Sequence, residues 1–258
     1  DRDVLTQARN AAAMREEKYI PDEREDLTRQ LILTIDPPDA RDFDDAIHVI
    51  KFDPPKDGAS YELGVHIADV AHFVRPGSAL DTEALKRGNS TYLPRKVIPM
   101  LPEVLSNGVC SLQEGVNRYC KSAIMRYDAE GNVVGRRFAR TVIRSAKRLT
   151  YLEAQALIDG DLRGAVKHAR TEPKYPRPVL DMLKLMNELA HTIRGRRLKE
   201  GMIVLGLPEV ELVFDDAGYL NDAVPEDTSF THTLIEMFMV EANEAIAALF
   251  DSINVPLL

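Results

Sequence analysis

Four aspartates fall within ten residues of one another: Asp36, Asp42, Asp44 and Asp45, inside Leu31–Ile50, LILTIDPPDARDFDDAIHVI. Two like charges about 4 Å apart repel by about 4 kcal/mol at an effective dielectric of about 20. Such a group therefore dissolves into solvent as an acidic loop, keeps some of its protons, or gathers a cation. Hard oxygen donors without Cys or His suit Mg²⁺ or Mn²⁺, and Mg²⁺ commonly combines a few carboxylates with a substrate phosphate. An EF-hand starting at Asp36 is excluded, because Pro38, Ala40 and Arg41 stand where it needs Asp or Asn and then Gly. No Walker-type phosphate loop and no H-E-x-x-H pair occurs anywhere in the chain.

The elements that must hold these residues are short. Leu31–Ile35 and Ala46–Ile50 are apolar, β-branched runs that read as strands, and the Pro37–Pro38 pair makes a rigid loop between them. Alternation along an extended segment points Asp42 and Asp44 one way and Phe43 and Asp45 the other. Asp39, in mid-loop, is assigned to solvent.

TIDPPDARDFDDA resembles the signature of the ribonuclease II / ribonuclease R family, the RNB-domain exoribonucleases. The similarity runs on through VHIADVAHFVRPGSALDTEALKRGNSTYLPRKVIPMLPEVLSNGVCSL to RLTY and HTLIEMFMVEAN, and the form DARDFDDA leans toward ribonuclease R. The resemblance implies an α+β fold, an RNB-type catalytic domain with a mostly antiparallel mixed sheet packed against helices. It implies hydrolysis of single-stranded RNA from its 3′ end to nucleoside 5′-monophosphates. In that family aspartates hold Mg²⁺, which assigns Asp36, Asp42 and Asp45 as metal ligands and Asp44 as the catalytic carboxylate. By the same resemblance Tyr92 stacks on a base near the RNA 3′ end, Tyr151 lies near the substrate path, and Glu236 contacts substrate. The family often has two consecutive acids at the last of these blocks; here the second position is Met237.

Residues 1–30 read as a polar helix and charged connector leading from an upstream domain, and residues 31–258 as the N-terminal part of the catalytic domain. The family continues with an arginine-bearing block and an OB-fold, so this stretch alone is expected to be weak in activity. The other readings are a catalytically silent RNA-binding relative, which would be expected to lose carboxylates from the cluster, and a purely structural acidic module.

The chain of 258 residues is 45% hydrophobic and 29% charged, ordinary for a globular protein. No apolar run approaches the about 18 residues of a membrane span. Cys110 and Cys120 match no metal spacing and suit a reducing compartment, so the expectation is a cytoplasmic monomer without organic cofactor. Net charge is −8, against nucleic acid taken alone. The bases are segregated, however: Gly135–Arg148 carries Arg136, Arg137, Arg140, Arg144, Lys147 and Arg148 without an acid, and Arg194–Lys199 adds four more. Acids gather instead in the aspartate cluster, in Asp22–Asp26 and in the segment Glu209–Asp227.

Tyr61–Ala68 alternates as a strand returning on the first two across a turn at Pro54–Gly58, and His48, His66 and His72 read as packed residues rather than ligands. Ser78-x-x-Asp81 opens a short helix that closes at Gly88. Pro94, Pro99 and Pro102 make the next stretch an extended loop. Arg118–Tyr127 and Val133–Thr150 read as an antiparallel pair around DAEGN, and Tyr151 starts a helix. Helical spacing marks Pro178–Glu200 and Thr231–Ser252, and on the latter Glu236 and Asn243 share a stripe away from its apolar face.

Overall fold

The computed structural model describes residues 2–13, 20–93, 96–205, 210–215, 217–225 and 227–256, so Pro94 and Glu209 of the sequence reading lie outside the described residues. After helix α1 (Arg2–Ala13) and strand β1 (Glu25–Leu27), the chain forms β2 (Leu33–Asp36) and β3 (Asp45–Lys56), the two runs that flank the aspartate loop. β3 continues past both prolines to Lys56, and the tight turn is Asp57–Gly58, each at positive φ as an Asp-Gly hairpin requires. β4 (Ala59–Ala68) leads to α2 (Val70–Phe73) and α3 (Ala79–Arg87). The Ser78 hydroxyl caps α3 by accepting from the Asp81 N–H, while the Asp81 carboxylate accepts from Gly77 instead of closing a full box on Ser78.

The proline-rich stretch is more ordered than an extended loop: β5 (Thr91–Leu93) and β6 (Lys96–Ile98) pair, and Leu105–Val109 makes a π-helical turn. Then come β7 (Asn117–Tyr127), β8 (Val133–Arg144) and β9 (Lys147–Thr150), and helices α4 (Tyr151–Asp159), α5 (Leu162–His168) and α6 (Arg177–Lys199). A separate hairpin of β10 (Val210–Phe214) and β11 (Leu220–Pro225) precedes α7 (Phe230–Ser252). No described helix is long and apolar enough to cross a membrane.

The expected mixed, mostly antiparallel sheet is present, with strand order β1-β8-β7-β4-β3-β2-β9 and parallel pairing only of β1 with β8 and β2 with β9. The run Val133–Thr150 is two strands, not one: β8 is second in this order and β9 last. Only Ser145 and Ala146 separate them, and the Ala146 N–H donates to the Ile32 carbonyl at 2.8 Å. So short a link between strands five places apart forces the sheet to curl.

One face of the sheet is buried by helices. Ile47, Val49, Val65 and Met125 pack with Leu183, Met186, Leu189, Leu234 and Phe238 from α6 and α7. The other face packs Ala46, Ala68 and Cys120 with Ile32, Phe43 and Ile143. α1 lays Val4, Ala8 and Ala11 on Leu80, Leu105 and Cys110, and β1 adds an edge to the sheet, so this connector is packed on the domain.

A polar chain runs through the interior. His48 Nδ1 and His66 Nε2 are 2.9 Å apart, His66 Nδ1 and Ser122 Oγ 2.7 Å, and Ser122 Oγ and Thr141 Oγ1 2.7 Å. Burial keeps both imidazoles neutral, pushing His48 down to about 4 and His66 well below its usual value. His48 occupies the space over Gly64, where an added Cβ would stand 2.1 Å from its Cε1. Gly64→Ala is expected to destabilise the protein by about 2–3 kcal/mol through overpacking, read as a lower urea midpoint. An unchanged midpoint would mean that His48 swings away freely and is not pinned by His66.

Candidate active site

Asp36 ends β2 and Asp45 begins β3, so pairing of these strands brings two carboxylates to one edge, with Asp42 and Asp44 in the loop between. That loop is held from two sides. On one, the Leu112 N–H donates to the Phe43 carbonyl at 2.9 Å, the Ala68 N–H to the Asp44 carbonyl at 2.9 Å, and Ser111 Oγ to the Arg41 carbonyl at 2.7 Å. On the other, Arg148 Nη2 donates to the carbonyls of Pro37, Pro38 and Ala40 at 3.4, 3.1 and 3.4 Å, and its guanidinium lies 4.7 Å from the Phe43 ring centre. These anchors take Phe43 out of simple alternation. It is buried on the small-residue face, whereas Asp45 lies opposite Ile67 on the helix-covered face.

The other three aspartates lie close enough for their charges to act on Asp36. Asp36 is buried, and its carboxyl is pushed up to about 8, first by burial, then by Asp45, with smaller contributions from Asp44 and Asp42 against the lowering effect of Arg148. Burial and Asp44 raise Asp45 to about 6, and burial and Asp42 raise Asp44. Asp36 Oδ2 is enclosed without a hydrogen-bond partner among the described residues, an orphaned acceptor that a native site rarely tolerates. As the side chains stand, no group of three or more His, Cys, Asp or Glu among the described residues is placed to hold a metal ion. Asp39 is exposed, as assigned, on the far side of the proline pair.

Tyr151 follows β9 directly, because Asp36 pairs with Thr150, and its hydroxyl is pushed up to about 12 by burial and then by Asp36 and Asp45. Its ring stacks on His232 of α7 with centroids 3.8 Å apart. The capping box of Thr150 and Glu153 fixes this corner. Glu236 is one helical turn beyond His232 and exposed. Tyr92 stands 68% exposed on the β5–β6 hairpin, and among the described residues it shares no hydrogen bond or ring contact with the cluster.

Two features lay outside the sequence reading. Arg148 looked like one member of a basic strand, and only the β9–β2 pairing reveals it as the clamp on the aspartate loop. Arg196 and Arg197 looked like a nucleic-acid patch, but both donate to the buried carboxylate of Glu241, and Arg197 also to Glu244 at 2.6 Å. The basic β8 run is likewise divided: Arg137 makes a bidentate pair with Glu25, and Lys147 is buried against Glu114, Thr171 and the Glu172 carbonyl. Among the described residues Arg140 has neither hydrogen-bond nor ion-pair partner.

The chain matches the RNB domain family model over residues 24–258. It is 42% identical over 234 residues to ribonuclease R of Thermotoga maritima, covering 90% of this chain and 31% of that protein. Its structure superposes on Mycoplasma genitalium RNase R in complex with ribose methylated single-stranded RNA, with a TM-score of 0.88, 30% identity, and coverage of 100% of this chain and 38% of that one. Yeast Ssd1, a pseudonuclease, shares the fold at a TM-score of 0.62 and 17% identity over 97% of this chain and 32% of that one. The chain thus spans about a third of the length of the curated relatives it matches.

Proposed function

Because the chain belongs to the RNB-domain family that includes ribonuclease R, we propose that it carries the catalytic centre of a Mg²⁺-dependent 3′-to-5′ exoribonuclease releasing nucleoside 5′-monophosphates from single-stranded RNA. The observation that supports this reading is the buried, unpartnered Asp36 Oδ2, on a carboxyl whose pKa is raised by the nearby charges of Asp45, Asp44 and Asp42. Four hard oxygen donors under mutual repulsion fit a divalent cation, which removes the repulsion and gives Asp36 Oδ2 a partner. Asp36, Asp42 and Asp45 would hold Mg²⁺ or Mn²⁺. Bound there, the ion supplies charge neutralisation at the scissile phosphate and a lower pKa for water.

Asp44, accessible at the surface and raised in pKa, orients the attacking water and accepts its proton. The water oxygen bonds to phosphorus, and the 3′ oxygen of the preceding nucleotide leaves with a proton, freeing a nucleoside 5′-monophosphate. Tyr92 offers a ring for a base, worth about 1–3 kcal/mol per stack without sequence preference. Tyr151 forms the wall beside Asp36 and Asp45, and Glu236 contacts substrate. Choice of RNA over DNA goes through the 2′-hydroxyl.

In the full-length protein, single-stranded RNA with Mg²⁺ is expected to shorten from its 3′ end to mononucleotides, and removal of the metal by EDTA to stop this. RNA bound but left intact in Mg²⁺ would identify the second reading, a silent RNA-binding module, the condition named for Ssd1. Failure of the folded protein to bind poly(A) at low salt would leave only a structural role. Arg148→Ala is expected to lower turnover about 10–100-fold and raise the Mg²⁺ requirement, as loss of a support for ligating carboxylates does. A Mg²⁺ titration overlaying that of wild type would show that the loop holds itself.

A further inference from the structure

One hydroxyl holds the backbone on both sides of Asp42. Ser111 is fully buried, and its Oγ accepts from the Phe43 N–H at 3.2 Å while donating to the Arg41 carbonyl at 2.7 Å. These belong to the two peptide groups that flank Asp42. A residue has only two soft backbone dihedrals, one toward each flanking peptide, so tying both peptides to one oxygen fixes where the Asp42 side chain starts. A serine hydroxyl donates and accepts at once, which is what a grip on one carbonyl and one N–H demands.

Ser111 is held in turn by Arg118, whose side chain is nearly buried. Arg118 Nε donates to the Ser111 carbonyl at 2.8 Å, and Nη2 to the Gly108 carbonyl at 3.3 Å and to Gln113 Oε1 at 3.2 Å. Its Nη1 donates to the Asn117 carbonyl at 3.1 Å. A rigid, planar fork of donors serves these acceptors in one geometry, which the point charge of a lysine cannot do. The turn before Ser111 is closed by the Cys110 N–H on the Leu105 carbonyl at 3.0 Å, a π-helical turn of the kind that recurs at functional sites. Leu105 and Cys110 pack against α1, so the turn is fixed on its apolar side as well.

We infer that Ser111 and Arg118 are positioning residues of the metal centre. Ser111 sets the backbone of Asp42, and with it the approach of that carboxylate to Asp36, and Arg118 acts through Ser111. The inference rests on the exoribonuclease reading, in which Asp42 is a metal ligand. The role is distinct from that of Arg148, which clamps the same loop before Asp42, at Pro37, Pro38 and Ala40. Both side chains are buried in the domain, so neither meets RNA directly.

The test is Mn²⁺ binding to the full-length protein without RNA, followed by electron paramagnetic resonance of the free ion. Asp36→Asn identifies the ions held by the cluster, and a thermal melt shows that each variant is folded. Ser111→Ala is expected to raise the Kd for those ions about 10-fold, within the range that supports of metal ligands contribute. At saturating Mn²⁺ its kcat is expected to stay several-fold below wild type, with KM for RNA unchanged. Arg118→Gln is expected to weaken ion binding several-fold. The double variant is expected to be no weaker than Ser111→Ala alone, because residues that act through one contact are not additive. Gly64→Ala, which disturbs packing outside the aspartate loop, is the control: its melting temperature falls and its Kd for Mn²⁺ does not change. Should one of the two single variants not fold, the other decides. A wild-type Kd in folded Ser111→Ala, or an equal rise in Gly64→Ala, would overturn the positioning role while leaving the exoribonuclease reading intact. Fully additive effects would overturn the route from Arg118 through Ser111. Absence from wild type of any bound Mn²⁺ that Asp36→Asn removes would overturn both readings.

Discussion

Asp44→Asn in the full-length protein is expected to reduce RNA hydrolysis by about 10²–10⁴-fold, the range that one general base contributes. The substitution keeps the shape and removes both the charge and the ability to take a proton. Asp44 is accessible, and the loop is fixed here through its carbonyl, which accepts from Ala68, so the side chain is not needed for the local fold. Burial is the main reason that the Asp45 carboxyl is raised, and Asp44 comes next. Removing this charge should therefore leave the metal-free protein as stable as before or slightly more so. Activity and stability are expected to move apart, which a general loss of folding cannot mimic. The measurements are single-turnover decay of a labelled RNA and a thermal melt. Decay within a few-fold of wild type would remove Asp44 from the chemistry.

Arg24→Ala is expected to cost about 3–5 kcal/mol, the penalty for stripping one partner from a buried ion pair. Arg24 Nη2 donates to Asp69 Oδ2 at 2.7 Å, and the two side chains are only 2% and 3% exposed. The guanidinium also lies 4.1 Å from the centre of the Tyr119 ring and reaches the carbonyls of Cys120 and Thr141. Without it, Asp69 keeps a buried negative charge whose remaining cation among the described residues is the exposed Lys121, at 3.6 Å. A fall in melting temperature of roughly 10 °C is expected. Arg24→Met with Asp69→Asn should recover part of the loss, because removing both charges removes the desolvation penalty as well. A single variant that melts within a degree or two of wild type would show the pair to be dispensable. The Arg24 guanidinium thus ties the N-terminal connector to Asp69 at the end of β4 and to the backbone of β7 and β8.

By itself the sequence determined what short-range physics encodes. The β-branched runs either side of Pro37–Pro38 specified two strands and the place where four carboxylates meet their ends. Asp128–Asn132 specified the β7–β8 hairpin, the apolar repeats of α6 and α7 specified two long helices, and Ser78 and Gly88 specified the limits of a short one. Each of these signals is complete within a few residues.

The tertiary structure decided what depends on partners far away in the chain. Whether a cation is spent or free was one such matter: Arg24 meets Asp69, and Arg196 meets Glu241, each across 45 positions, while Arg140 meets nothing among the described residues. The fate of Val133–Thr150 was another, since the switch at Ser145–Ala146 exists only because the sheet curls and offers β2 as a parallel partner. Arg148 acquires its hold on the aspartate loop from that pairing alone. Periodicity reports which face of an element is buried, but contains no term for which edges meet. The curl of the sheet and the burial of charge therefore came from packing.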